Sequence, residues 1–290
     1  MGKTFWRSVD DSADGIVLEG IPDEPAYSGQ VDNLAGGRKW NPHCRYTGKQ
    51  IKGINLRHLD DLITIPDGRF SYMPFVAYVN LPPNLRRIEQ EAFSGCNRLK
   101  RIDLPHSVEY IGPWSFYLCA SLEEIVLPTG VSVISPGTFC QCITLTSVRL
   151  WEGLKVISED AFSSCVELQS LIIPQSVVEI GRSAFSRCGR LGLIRLPLGL
   201  REIRAYTFWD CYGLTRLLLP LSIQTIQDKA FPGCHPKALF VESAEQISFA
   251  SHFDIKPARV VVVKGSDVSA GVTDWELYEM ASLYFSFLVE

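Results

Sequence analysis

The sequence predicts an α/β repeat solenoid: a right-handed superhelix with a parallel β-sheet on its concave face, about eight repeats long and capped at both ends. Three columns of residues predict it. Cysteine falls at Cys96, Cys119, Cys142, Cys165, Cys188, Cys211 and Cys234, each 23 residues after the last. Phenylalanine keeps the same step at Phe93, Phe116, Phe139, Phe162, Phe185, Phe208 and Phe231, and isoleucine keeps it at Ile88, Ile111, Ile134, Ile157, Ile180, Ile203 and Ile226. No residue is inserted or deleted between units, and a fixed period of about 20–50 residues marks stacked repeats.

The first unit, residues 82–104, shows how one coil is built. Its apolar positions are Leu85, Ile88, Ala92, Phe93, Cys96, Leu99, Ile102 and Leu104. The closing Ile-x-Leu alternates with period two and reads as a short strand. The Ala-Phe-x-x-Cys run has a spacing nearer three and reads as a helical turn. Proline recurs at Pro82, Pro105, Pro128, Pro174, Pro197 and Pro220, with Trp151 in the one gap. Proline ends a strand because it has no N–H for the ladder, and the small residues two positions later redirect the chain. Each unit is therefore strand, turn, extended return and helical turn. A single unit cannot bury its own apolar side chains, so neighbours must stack and stabilise one another.

The run L-x-x-I-x-x-x-A-F-x-x-C-x-x-L-x-x-I-x-L-P, as it stands from Leu85 to Pro105, resembles the BspA-type leucine-rich repeat. The resemblance covers residues 82–242. It implies a leucine-rich-repeat solenoid, protein recognition, and in many members a cell surface or adhesive setting. It implies no catalytic residues.

Ahead of the regular units, Ile65, Phe70, Met73, Val76, Val79 and Leu81 keep the phase, which makes residues 57–81 a worn leading unit with Met73 in the cysteine place. Ile54 and Leu56 suggest one further strand. Residues 1–56 form an arm and cap, with the cap over 30–56; residues 57–242 form the solenoid; residues 243–290 form a C-terminal cap. In that last part, 258–264 reads as a buried strand. Thr273-x-x-Glu276 is a capping box opening a helix over 274–289. That helix is apolar nearly all round and is expected to fold over the last repeat, with partner docking or self-association as the alternative.

Composition bounds the function. The chain has 290 residues, 46% hydrophobic and 21% charged, with a formal net charge of −4, which disfavours general nucleic-acid binding. It contains no apolar run long enough to span a bilayer, no apolar signal core in residues 1–20, and Trp6 where a myristoylation motif needs Ser or Thr. The expectation is a cytoplasmic protein, or a cell-surface one if the chain is part of a longer exported protein. Residues 8–37 hold seven acids and no Lys or Arg, and residues 38–59 hold six bases and no acid. An anion site or an acidic arm over a basic patch would use these charges; a solvated arm before a partly paired cap is the simpler reading. Asp10-x-Ser12-x-Asp14-Gly15 looks like half a calcium loop, but Ile21 stands where the bidentate Glu belongs.

No metal, cofactor or catalytic site is expected. The seven column cysteines read as buried thiols acting as small hydrophobes, with Cys44 and Cys140 the accessible ones. Nucleophile, phosphate-loop and zinc-protease motifs are absent, and the five histidines share no spacing. What remains is surface. The strand residues between the buried ones face outward: Tyr78/Asn80, Arg101/Asp103, Glu124/Val126, Ser147/Arg149, Ser170/Ile172, Leu193/Arg195 and Arg216/Leu218. Arg149, Ile172, Leu193, Arg195, Arg216 and Leu218 form the candidate binding site, extended by Leu198 and Leu221, because apolar residues ringed by arginine suit protein interfaces. Tyr206, Trp209 and Tyr212 form a second candidate. The expected function is a non-catalytic protein-binding scaffold; a surface or adhesive structural protein is the alternative.

Overall fold

The alternating strand, the isoleucine return and the phenylalanine–cysteine run become three walls of a β-solenoid of about eight turns. The computed structural model describes residues 7–11, 15–19, 51–253 and 259–262. The expectations for Cys44, for most of the cap at 30–56 and for the helix at 274–289 lie outside them.

The first wall carries the period-two strands: Ile51–Asn55, Tyr78–Asn80, Glu124–Val126, Ser147–Arg149, Ser170–Ile172, Leu193–Arg195, Arg216–Leu219, Ala238–Val241 and Arg259–Val262. Alternate side chains enter the core, as at Leu171, Ile194 and Leu217. Neighbours pair in parallel and in register, so that Arg149 lies beside Val126 and Ile172 beside Arg195. The ladder is not continuous, however. It forms the groups 51–55 with 78–80, 124–126 with 147–149, 170–172 with 193–195, and 216–219 with 238–241 and 259–262. Arg101–Asp103 keeps the exposed–buried alternation without forming a strand.

The second wall is a ladder of two-residue strands that the extended return supplies. Thr64–Ile65, Arg87–Ile88 and Tyr110–Ile111 pair in parallel, as do Val133–Ile134, Val156–Ile157 and Glu179–Ile180. The isoleucine column is the buried member of each.

The third wall corrects one expectation: the Ala-Phe-x-x-Cys run is not helical. It is a chain of linked β-turns. In the first unit Ala92 N–H donates to Glu89, Ser94 to Glu91 and Cys96 to Phe93. Two residues per coil take the left-handed conformation that such turns need, Glu91 and Gly95 here, then Trp114 and Leu118 one coil later. Twelve of the described residues at positive φ are not glycine. The reason is the direction of the hydrogen bonds. An α-helix would close each N–H onto its own chain, whereas here Phe93 N–H reaches Ser115 O at 2.8 Å and Phe116 N–H reaches Thr138 O at 3.0 Å in the next coil. Stacking overrides local spacing.

Inside, one apolar core runs from Ile51 to Phe253. Eight phenylalanines from Phe70 to Phe231 stack with centroids 5.3–5.7 Å apart and ring planes within 17°. A ninth ring, Phe253, closes the stack 4.4 Å beyond Phe231. It follows the 3-10 helix Glu245–His252 and sits 22 residues after Phe231, so the strict 23-residue phase misses it. At the other end Arg7–Asp11 and Gly15–Glu19 make an antiparallel hairpin whose second strand pairs with Ile51–Asn55. The described part of the expected solvated arm thus extends the first wall, with Asp10 and Asp11 in one strand and Gly15 in the other.

Candidate binding face

The outward side chains of the first wall divide by charge. On the early coils the charges satisfy one another: Arg101 lies 2.8 Å from Glu124 and 3.3 Å from Asp103, and Lys100 lies 3.5 Å from Glu123. Such exposed pairs contribute little to stability, about 0–1 kcal/mol each, yet they leave the surface nearly neutral. Further along, the face changes. Arg149 is exposed and makes no ion pair with any described residue. Val126 beside it is 53% exposed and Ile172 is 56% exposed. Leu193, Leu198 and Leu221 are exposed as well. Arg195, Arg216 and Leu218 are half-buried, and Phe240, in register with Leu218, is buried. Of the six expected site residues, Arg149, Ile172 and Leu193 therefore offer the most surface.

A feature that no sequence pattern announced lies among them. Between Ser147–Arg149 and Ser170–Ile172 the wall opens into a groove of about 450 Å³, lined chiefly by Ser147, Arg149, Leu150, Ser170, Ile172 and Pro174. The sequence held one clue, the replacement of proline by Trp151 in the corner between these strands.

The aromatic candidate is less available. Arg182 lies over the Tyr206 ring at 5.0 Å and Arg187 over the Trp209 ring at 4.5 Å, so the preceding coil covers both. Tyr212 alone of the three is broadly exposed.

The cysteine chemistry needs one correction. Cys140 is buried, not accessible. It lies on the third wall between the positions of Tyr117 and Ser163 in the neighbouring coils, and packing between coils shields it. Burial pushes its thiol up to about 12, and the same cause raises Cys96 and Cys188 to about 12. Among the described residues no three His, Cys, Asp or Glu side chains converge as a metal site requires. No helix among them is long and apolar enough to cross a membrane.

Two stacked parallel ladders, a turn wall and an aromatic spine define a leucine-rich-repeat solenoid. The sequence matches the BspA type leucine rich repeat region in six copies, over residues 63–189 and 115–237, and the chain belongs to that family. The family is generally a scaffold without enzymatic activity. Among solved structures, a leucine-rich repeat protein from Bacteroides ovatus is 20% identical, with a TM-score of 0.63 over 91% of this chain and 67% of that one. A leucine-rich repeat protein from Eubacterium ventriosum is 20% identical, with a TM-score of 0.47 over 64% of this chain and 59% of that one. A T. pallidum leucine rich repeat protein is 27% identical, with a TM-score of 0.46 over 80% and 86%. No curated protein sequence matches the chain.

Proposed function

We propose that this chain is a non-catalytic protein-binding scaffold that takes its partner on the first wall of the later coils, at Arg149, Ile172, Leu193, Arg195, Arg216 and Leu218. One observation carries the reading. Ile172 stands exposed across the groove from Arg149, with exposed Leu193 on the next strand, and Arg149 has no acidic partner among the described residues, while the early coils neutralise their own charges. Exposed apolar side chains next to arginine favour association with protein, because burying them gains the hydrophobic effect and the guanidinium can pair with carboxylates. The net charge of −4 argues against nucleic acid as the partner. A reducing, cytoplasmic setting suits the eight described cysteines, all of them thiols.

The test is photo-crosslinking in native lysate, with a photoreactive residue at position 172 and, as control, at position 103. A discrete protein adduct from 172 and not from 103 is expected. Ile172→Ala with Leu193→Ala should lower capture at least thirtyfold, which is about 2 kcal/mol, with stability nearly unchanged because both side chains are exposed. Equal labelling from both positions would remove the site from this face. Adducts only between copies of the chain would favour the adhesive, structural role.

A further inference from the structure

We propose that the groove between Ser147–Arg149 and Ser170–Ile172 binds an extended peptide segment of the partner that presents a carboxylate side chain next to an aliphatic one; the proposal rests on the protein-binding reading above and specifies its chemistry. The groove lies at one of the breaks of the first-wall ladder, which also parts between Leu193–Arg195 and Arg216–Leu219. On one side Leu127 N–H donates to Arg149 O at 3.0 Å, and on the other Ile173 N–H donates to Arg195 O at 3.3 Å. The equivalent bond from Leu150 N–H to Ile172 O is not made, and no described bond joins the two strands. The rest of these two coils stays closed: Ile157 pairs with Ile180 on the second wall, and Phe162 N–H reaches Ala184 O at 2.8 Å on the third. The opening is therefore local to the outward face.

Trp151 sets this opening apart from the other breaks in the ladder. Its indole Nε1 donates to Val131 O at 2.8 Å, which ties this corner to the preceding coil. The ring lies over Gly153, where any Cβ would overlap it. No other corner of the column carries such an anchor, since the other six hold proline.

The lining then selects the occupant. Glu152 is engaged, its oxygens accepting from Gln175 N–H at 3.2 Å and Ser176 N–H at 3.3 Å. Among the described residues Arg149 has no ion-pair partner, which leaves its guanidinium available for a forked pair with a carboxylate. Ile172, Leu150 and Pro174 supply an apolar wall for a neighbouring aliphatic side chain. Leu150 N–H and the hydroxyls of Ser147 and Ser170 remain for the peptide main chain, as when an added strand pairs with an open sheet edge. The volume falls within the range of about 300–1,000 Å³ typical of binding clefts.

Fluorescence anisotropy on the full chain tests this, with labelled, end-blocked octapeptides of Gly and Ser that carry a central Asp-Leu, Asn-Leu, Lys-Leu or Asp-Ser pair. The Asp-Leu peptide should bind, and the other three should bind at least tenfold more weakly. Arg149→Gln should weaken Asp-Leu binding about tenfold and erase its advantage over Asn-Leu, whereas Arg101→Gln should change nothing. No saturable binding of Asp-Leu, or binding indifferent to Arg149→Gln, overturns the proposal. In either case a protein adduct still formed from position 172 would leave the scaffold reading standing, and its absence would remove both.

Discussion

The Cys142 thiol donates a hydrogen bond to the carbonyl oxygen of Phe116, 3.2 Å away and one coil earlier. The relation repeats without exception along the column, from Cys96 to Phe70 through Cys234 to Phe208. From Phe93 to Phe208 each carbonyl already accepts from its own turn, as Phe116 O does from Cys119 N–H, and the thiol fills its second lone pair. This explains why cysteine rather than alanine or valine holds the position.

These thiols must stay protonated to donate. None of the eight described cysteines, Cys140 included, should react with iodoacetamide in the native protein at pH 7–9, and all should react in denaturant. The folded pKa is raised, from 9.0 to about 12 for Cys96 and Cys188 by burial. Native coils thus keep protons that unfolded chains release, and stability should fall as pH rises from about 9 towards 12. Cys142→Ala should lower stability by about 1–3 kcal/mol in urea titration, through lost packing and the unfilled carbonyl. Rapid native labelling of Cys165 would sink the account.

Phe253 should behave as structure rather than as surface. It is buried and stacks on Phe231. Phe253→Ala should cost about 3 kcal/mol or more, and hydrogen exchange should show the loss concentrated in the coils around Phe231. Tyr212→Ala, at an exposed position, should stay within about 0.5 kcal/mol. Equal effects of the two would mean that the aromatic spine ends at Phe231.

Asp160 stands at φ 54° in the left-handed column of the third wall. Burial, reinforced by Glu159 and opposed by Arg182, raises its carboxyl from 3.8 to about 6. Because the folded pKa is the higher one, its favourable contribution is complete below about pH 4 and is lost as pH rises to about 6. Asp160→Asn, which tolerates the same backbone conformation, should raise stability at pH 7 by on the order of 1 kcal/mol once solvent screening is allowed for. The variant should also flatten the melting temperature between pH 4 and 6. An unchanged pH profile would place the titration elsewhere.

Periodicity alone determined the solenoid, its phase and nearly all of its core, because each coil buries the same positions against the next. The column of Phe and Cys could not be read any other way once seven copies stood in step. It also determined which strand residues face outward, since a strand alternates sides whatever lies beside it. The tertiary structure decided what depends on contacts between coils. Spacing within Ala-Phe-x-x-Cys suggested a helix, and hydrogen bonds to the next coil made it a row of turns. Cys140 looked free because it lay outside the column, and packing between neighbouring coils buried it. Phe253 closed the spine from a position one residue short of the phase. The gap beside Arg149 lies at the corner where the indole of Trp151 bonds to Val131, twenty residues earlier. A pattern of residue types records which side chains are buried; it does not record which main-chain bonds between coils are left unmade.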